Sequence, residues 1–375
     1  MKAQNSLLER DGVQKALASV IAIFIGMVVG FIILLISNPA RAAEGFVEIV
    51  IGGVSSRKNI GQVLFYATPL IMTGLSVGFA KKTGLFNIGA PGQYMVGAFA
   101  AVLVGVRCTF LPPIVHCLVA LIAAGLAGAV WGIVPGVLKA FCGINEVISC
   151  IMMNYIGASM SNLLIRRLIF DRARNQSLRP ADSAVLPKLG FDKIFVDGAT
   201  PSSANAGILV AILLGVLTWI LLEKTQFGFE LKACGFNRDA AKYAGISEKR
   251  SIVLAMVISG ALAGIGGGLM LLAGAGTGIA ITDTPAAEGF NGIPVALLGM
   301  SNPIAIIFTG IFMAYLTVGG LSMQSVGFVP QIIDIISAVI IYFAAFVLFF
   351  SQLMSKLAKR KEASGTQTEK GGGGQ

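Results

Sequence analysis

Of 375 residues, 55% are hydrophobic and 12% charged, and apolar runs long enough to cross a hydrocarbon layer of about 30 Å recur from end to end. A soluble globular domain is excluded, and the chain reads as an all-α polytopic membrane protein. The formal net charge of +10 fits basic cytoplasmic loops rather than nucleic-acid binding.

Residues 1–15 form a short N-terminal segment ahead of the first apolar run. That run, Leu17 to Ile36, exceeds a signal-peptide core and lacks a small-residue cleavage site, so it is expected to stay as a span. Spans are expected near 16–36, 61–80, 90–110, 113–138, 146–165, 206–222, 251–273, 304–320 and 331–350. A shorter apolar piece, Ile293 to Met300, is bracketed by Gly289, Gly292, Pro294 and Pro303 and reads as a broken or half-length helix. Nine full spans and this piece give about ten transmembrane segments in a membrane domain over 16–351, with both termini on one side. That side carries 17 Lys and Arg and the other 11, so the termini are expected in the cytoplasm. Seven of the 11 lie in one extracytoplasmic loop, 166–205, long enough for the charge rule to weaken. The tail, 352–375, has the polar, glycine-rich composition of a disordered segment.

Gly84 to Ala98, GLFNIGAPGQYMVGA, and Gly289 to Met300, GFNGIPVALLGM, both open with Gly, Phe and Asn and dissolve into Gly and Pro before an apolar run. On the expected topology they enter the membrane from opposite faces. Inverted repeats with Gly/Pro-interrupted helices suit a transport path, since unwound backbone exposes polar groups near the midplane. Two similar glycine-rich turns are the other reading. Gly128, Gly132 and Gly136, and again Gly260, Gly264 and Gly268, stand four apart, which lines one helix face with small residues for close packing.

Asn145, Glu146 and Asn154 lie in GINEVISCIMMNYI. Asn145 and Glu146 suit a helix cap at a positive N-terminus, and a gating or coupling role for the three remains the alternative. Asp283, Glu288 and Asp334 are expected at interfaces. His116 is the single histidine, so neither a His-based metal site nor a Ser-His-Asp triad assembles. The five cysteines have no CxxC spacing and read as small core residues. GIGGGLMLLAGAGTGIAI lacks the GK[ST] ending of a phosphate loop. No catalytic role and no bound cofactor are expected of this chain; any ATP and Mg would sit on a partner.

The polar stretch Thr225 to Ser247, within a 223–250 loop between two spans, has Asn237 as a helix N-cap and Gly245 as a stop. A short helix over Arg238 to Ala244 is expected there as a docking knob.

TGLFNIGAPGQYMVGAF, GINEVISCIMMNYI, FGFELKACGFNRDAAKYAGI and GFNGIPVALLG, in this order, resemble the permease subunits of bacterial ABC importers of the branched-chain amino acid and simple-sugar superfamily. Within it, the chain is most similar to the nucleoside-type branch linked to basic membrane proteins. It departs in carrying Pro91 before Gly92 and Gln93, where relatives commonly have an acidic residue. The resemblance implies a fold like that of type II ABC importers, in the bacterial plasma membrane. It implies three protein partners: an ATPase subunit, a second, shorter homologous permease forming a heterodimer, and an extracytoplasmic solute-binding lipoprotein. The ATPase would engage Gly235, Asn237, Arg238, Asp239, Ala240, Ala241, Lys242 and Gly245. The solute, a nucleoside or related sugar-containing molecule, would pass Phe86, Asn87, Gln93, Phe290 and Asn291, whose amides can hydrogen-bond a ribose or base and whose rings can stack. Capping and packing of the broken helices is the other role open to these five. An ion-coupled secondary transporter remains the competing class, although ionisable groups deep in its spans are scarce.

Overall fold

The computed structural model describes residues 11–198, 200–274 and 278–346. The 352–375 tail, the end of the last expected span and most of the N-terminal segment lie outside these. The chain folds as two units: Val50–Gly319, and the flanks up to Ile49 and from Gly320, which pack on each other.

The flanking unit is built from α1 (Asp11–Ser37), α2 (Ala42–Ile51) and α14 (Pro330–Ala345). Gly30 of α1 lies against Ile336, and Gly45 of α2 against the ring of Phe328. Arg41 donates to the Val326 carbonyl at 2.8 Å, and the Phe31 and Phe46 rings meet edge-on at 5.1 Å. Asp334 is exposed.

The larger unit holds α3 (Arg57–Lys82), α4 (Ala90–Arg107), α5 (Pro113–Cys142), α6 (Glu146–Leu168), the four-residue α7 (Phe191–Ile194), α8 (Gly207–Lys224), α9 (Gln226–Phe236), α10 (Arg238–Tyr243), α11 (Glu248–Leu271), α12 (Ala287–Leu298) and α13 (Pro303–Ser322). Local signals set the ends. Ser56 caps α3 by accepting from the Asn59 N–H at 3.1 Å, Pro113 opens α5, and Gly143, in the left-handed region, closes it. Between α6 and α8 the chain makes two antiparallel pairs of two-residue strands, Phe170–Asp171 with Gln176–Ser177 and Val196–Asp197 with Thr200–Pro201.

Among the described residues, six helices are long and apolar enough to cross a membrane: α3, α5, α6, α8, α11, and α13 with the turn after it. This is a multi-pass, all-α membrane architecture, but the count falls short of about ten. Of the other expected spans, α4 is a continuous helix of 18 residues that opens on Ala90, Pro91 and Gly92, α12 is a continuous helix of 12 residues with Pro294 inside it, and α14 reaches the edge of the described residues. α2 and α9 appear where no helix was expected.

α3 is the central strut, buried at every position from Ala67 to Ala80. Beside it the glycine faces close: a Cβ on Gly264 would overlap the Ala124 carbonyl and Gly128 Cα, and one on Gly97 would overlap Gly264 itself. Backbones of α4, α5 and α11 therefore converge on Gly264. The opposite face of α5, with Leu118, Ile122, Leu126 and Val130, is exposed and suits lipid, where close packing rather than exclusion of water holds helices together. Gly264→Val should lower the melting temperature in detergent by an overpacking cost of about 1–3 kcal/mol, whereas Val130→Ala should melt like the wild type. Equal melting of the two would remove Gly264 from the core of the packing.

Candidate functional site

Two ends of the large unit can be told apart. At one end the last turn of α3 lies against α9, since a Cβ on Gly84 would overlap Gly235 Cα and carbonyl O, and one on Gly235 would overlap the Thr83–Gly84 peptide. At the other end, Arg107 closes α4 onto the Leu168 carbonyl at 2.6 Å. There His116 faces Ser183 Oγ at 2.9 Å, and Leu186 N–H donates to the Leu272 carbonyl.

Gly84, at φ +76°, ends α3 in a conformation that glycine tolerates. The chain then runs non-helical to Gly89, and α4 starts at Ala90. Asn87, 0% exposed, and Gln93, 1% exposed, bond reciprocally: Asn87 Nδ2 donates to Gln93 Oε1 at 2.7 Å, and Gln93 Nε2 donates back to Asn87 Oδ1 at 3.3 Å. Asn87 Nδ2 also lies 2.6 Å from Ser259 Oγ of α11 and 3.1 Å from Ser76 Oγ of α3. Its Oδ1 accepts from the Gly89 N–H at 3.0 Å. Asn154 of α6 completes the knot, accepting from Gly92 N–H and donating to the Ile88 carbonyl, both at 2.9 Å. The expected path residues Asn87 and Gln93 thus sit in a closed hydrogen-bonded cluster, and Phe86 beside them is half-buried.

Phe290 and Asn291 are exposed on α12, apart from that cluster. Here the likeness of the two motifs stops: Gly84 to Asn87 is a break, whereas Gly289 to Asn291 is helical. Gly289 and Gly292 admit the backbones of Pro91 and Thr73, so they serve close packing rather than a turn. The contact of Gly289 with Pro91 brings the first turns of α12 and α4 together. From there α4 runs to the Arg107 end, while α12 follows α3 past Gly74 and Gly78 toward the opposite end.

Asn145 caps α6, accepting from Val147 N–H at 2.8 Å, and Glu146 pairs with Lys139 at 2.7 Å. Asn154 stands apart from this pair as a clamp on α4.

The polar loop is two helices, not one. Thr225 caps α9 through Gly228 N–H at 3.0 Å, and Asn237 ends α9 and caps α10, accepting from Ala240 N–H at 3.0 Å. α10 stops at Tyr243, one residue short of the expected Ala244, because Gly245, at φ +82°, reverses the chain and Ile246 N–H returns to the Ala241 carbonyl. Ala241 is buried, whereas Asp239, Ala240 and Lys242 are exposed. Arg238 pairs loosely with Glu248 at 3.7 Å. Phe236 and Tyr243 are 96% and 95% exposed, with a cleft of about 720 Å³ between α9 and the start of α11. Burial pushes the Cys234 thiol up from its ordinary value, which makes it a packing group rather than a nucleophile.

Sequence reasoning missed the serines of the knot and α9. Ser76 and Ser259 were hydroxyls inside apolar spans, a visible signal, and the buried spacing Gly228, Leu231, Cys234 marks a helix face. Asn154→Leu should leave the Gly92 N–H and Ile88 C=O unpaired at about 1–3 kcal/mol each, lowering the melting temperature and speeding alkylation of buried Cys150 by mass spectrometry. Unchanged melting and labelling would mean that α4 is held without the clamp.

Residues 59–345 match the family described as branched-chain amino acid transport system, permease component. The chain is 38% identical to the guanosine ABC transporter permease protein NupP of Bacillus subtilis, over 92% of this chain and 97% of that one. It is 35% identical to the nucleoside ABC transporter permease protein NupB of Lactococcus lactis, over 96% and 98%. The glucose ABC transporter permease protein TsgB13 of Haloferax volcanii matches at 31%, over 94% and 93%. No solved structure matches the chain. The chain therefore belongs to the ABC transport-system permease family and not to the ion-coupled secondary transporters that its composition also allowed.

Proposed function

We propose that this permease is one half of the membrane path of an ATP-driven nucleoside importer. The guanosine and nucleoside relatives support that solute class, and the glucose relative fits recognition through a sugar ring, which a nucleoside also carries. A second permease forms a heterodimer with it, and a solute-binding lipoprotein docks over the 166–205 loop. ATP and Mg are bound by the ATPase subunit. About ten segments cross the membrane, with both termini cytoplasmic, and α4 and α12, running oppositely from adjoining first turns, are the inverted pair, with the chain broken only before α4. Phe290 and Asn291 line the path directly, whereas Phe86, Asn87 and Gln93 join it when the knot opens. Asn145 and Glu146 hold the gate end of α6, and Asn154, two turns further in, clamps the gate to the start of α4.

The observation that carries the coupling assignment is the pair α9–α10. It displays Phe236 and Tyr243 almost fully exposed while resting Gly235 on the Thr83–Gly84 backbone, three residues before Asn87. An ATPase gripping α10 would move α9, and the backbone contact at Gly235 would carry that motion to the break.

The two functions separate by mutation. Phe236→Ala with Tyr243→Ala removes exposed rings without touching the fold and should abolish copurification of the ATPase with the tagged permease. Gly235→Val should keep copurification but cut solute-stimulated ATP hydrolysis at least tenfold, because the new side chain overlaps the Thr83–Gly84 peptide. Wild-type behaviour of both would show that the 223–250 loop is not the coupling element. In a cysteine-free background, Asp197→Cys should react with an impermeant maleimide in intact cells and Lys242→Cys only after permeabilisation; reaction of both in intact cells would sink the topology.

A further inference from the structure

Where the first turns of α4 and α12 adjoin, a cavity of about 400 Å³ opens between α4, the end of α11 and the run leading into α12. It is separate from the Asn87 knot. Met95, Met270 and Leu271 give it an apolar wall, and Tyr94, Thr282 and Glu288 a polar one. Tyr94 is 3% exposed, yet its Oη has no hydrogen-bond partner. A buried, unpaired hydroxyl is costly unless something else completes it. Two of the other three unpaired buried side-chain atoms among the described residues flank the same region: Ser161 Oγ and Asn162 Oδ1. They lie one turn beyond Ala158, which packs with Tyr94 and Met95. Asn162 spends its amide N–H on the carbonyl of Thr282, on the cavity wall, at 2.7 Å.

The geometry points to this cavity as the solute-binding site of the path, with a flat ring seated on the methionine and leucine wall and hydroxyls paired with Tyr94 and Glu288. This deepens the transport reading and rests on it. A carboxylate accepts two hydroxyl donors at once, which suits a sugar diol. The Glu288 charge already occupies the favourable field at the start of α12, so a phosphorylated solute would meet repulsion. The site therefore takes neutral nucleosides and rejects nucleotides.

Tyr94→Phe is the sharpest probe, since it deletes a hydroxyl that no protein group uses and should leave folding untouched. Tritiated guanosine uptake is measured in cells carrying the complete transporter. Tyr94→Phe should raise KM about two- to tenfold, the worth of one hydrogen bond, with maximal rate and ATPase copurification unchanged. It should also shrink the preference for guanosine over its 2′- and 3′-deoxy forms. Ala280→Trp, from an exposed position on the cavity wall, should block uptake without affecting assembly. Wild-type KM in Tyr94→Phe, or wild-type uptake in Ala280→Trp, overturns the site while leaving the transport reading standing. Failure of the wild-type complex to take up any nucleoside overturns the nucleoside reading and the site's substrate class with it.

Discussion

A helix that begins in a closed protein interior leaves its first backbone N–H groups without water to satisfy them, at about 1–3 kcal/mol each. α4 begins at such a place, with every residue from Gly89 to Met95 buried. Its start is served by side chains instead: Asn87 takes the Gly89 N–H, and Asn154 takes the Gly92 N–H while donating to the Ile88 carbonyl. From this follows much of the neighbouring packing. α6 must bring Asn154 within hydrogen-bond reach, so Gly92 and Gly157 face one another across α4 and α6. The same Asn87 amide reaches Ser76 on α3, Gln93 on α4 and Ser259 on α11, so one side chain registers three helices.

Glycine and amide do different work here. Between helices in lipid, apolar contact gives little net drive, and close backbone approach supplies dispersion instead. The convergence on Gly264 does this for α4, α5 and α11, but glycine faces slide. Interhelical hydrogen bonds, worth about 0.6–2 kcal/mol each in membranes, fix the register along the slide. Opening the knot therefore costs a few kcal/mol rather than the whole packing energy.

How much of this the sequence discloses depends on range. Hydropathy marks the long spans, and single residues mark ends: Asn145 and Asn237 cap helices, and Gly143 and Gly245 stop them. The glycine spacing of α5 and α11 also reads directly onto their contact. Lost from view are pairings between distant positions, such as Ser76 with Ser259, 183 residues apart, which hold Asn87 in a buried tie. The Gly-Phe-Asn likeness is local in the same sense. Its second copy lies within α12, with Pro91 and Thr73 against its glycines, and nothing local says so. The Tyr94 cavity is equally invisible, since an unpaired hydroxyl is a property of surroundings and not of spacing.

Distance decides whether motion at one end can reach the other. α10 is joined to α9 through Asn237, which closes one helix and opens the next, leaving no flexible linker to absorb displacement. α9 in turn meets α3 at Gly235 and the Thr83–Gly84 peptide, and backbone atoms in contact cannot yield as long side chains do. Three residues further lies Asn87, held by bonds of 2.6 and 2.7 Å. A shift of about 1 Å transmitted to Gly84 would stretch these beyond useful hydrogen-bond length. Gln93, one helical turn into α4, would then lose its partner, and Tyr94 adjoins it on the cavity wall. A load on α10 would thus arrive within a few residues at the first turn of α4, where Gln93 of the knot is followed by Tyr94 of the cavity wall.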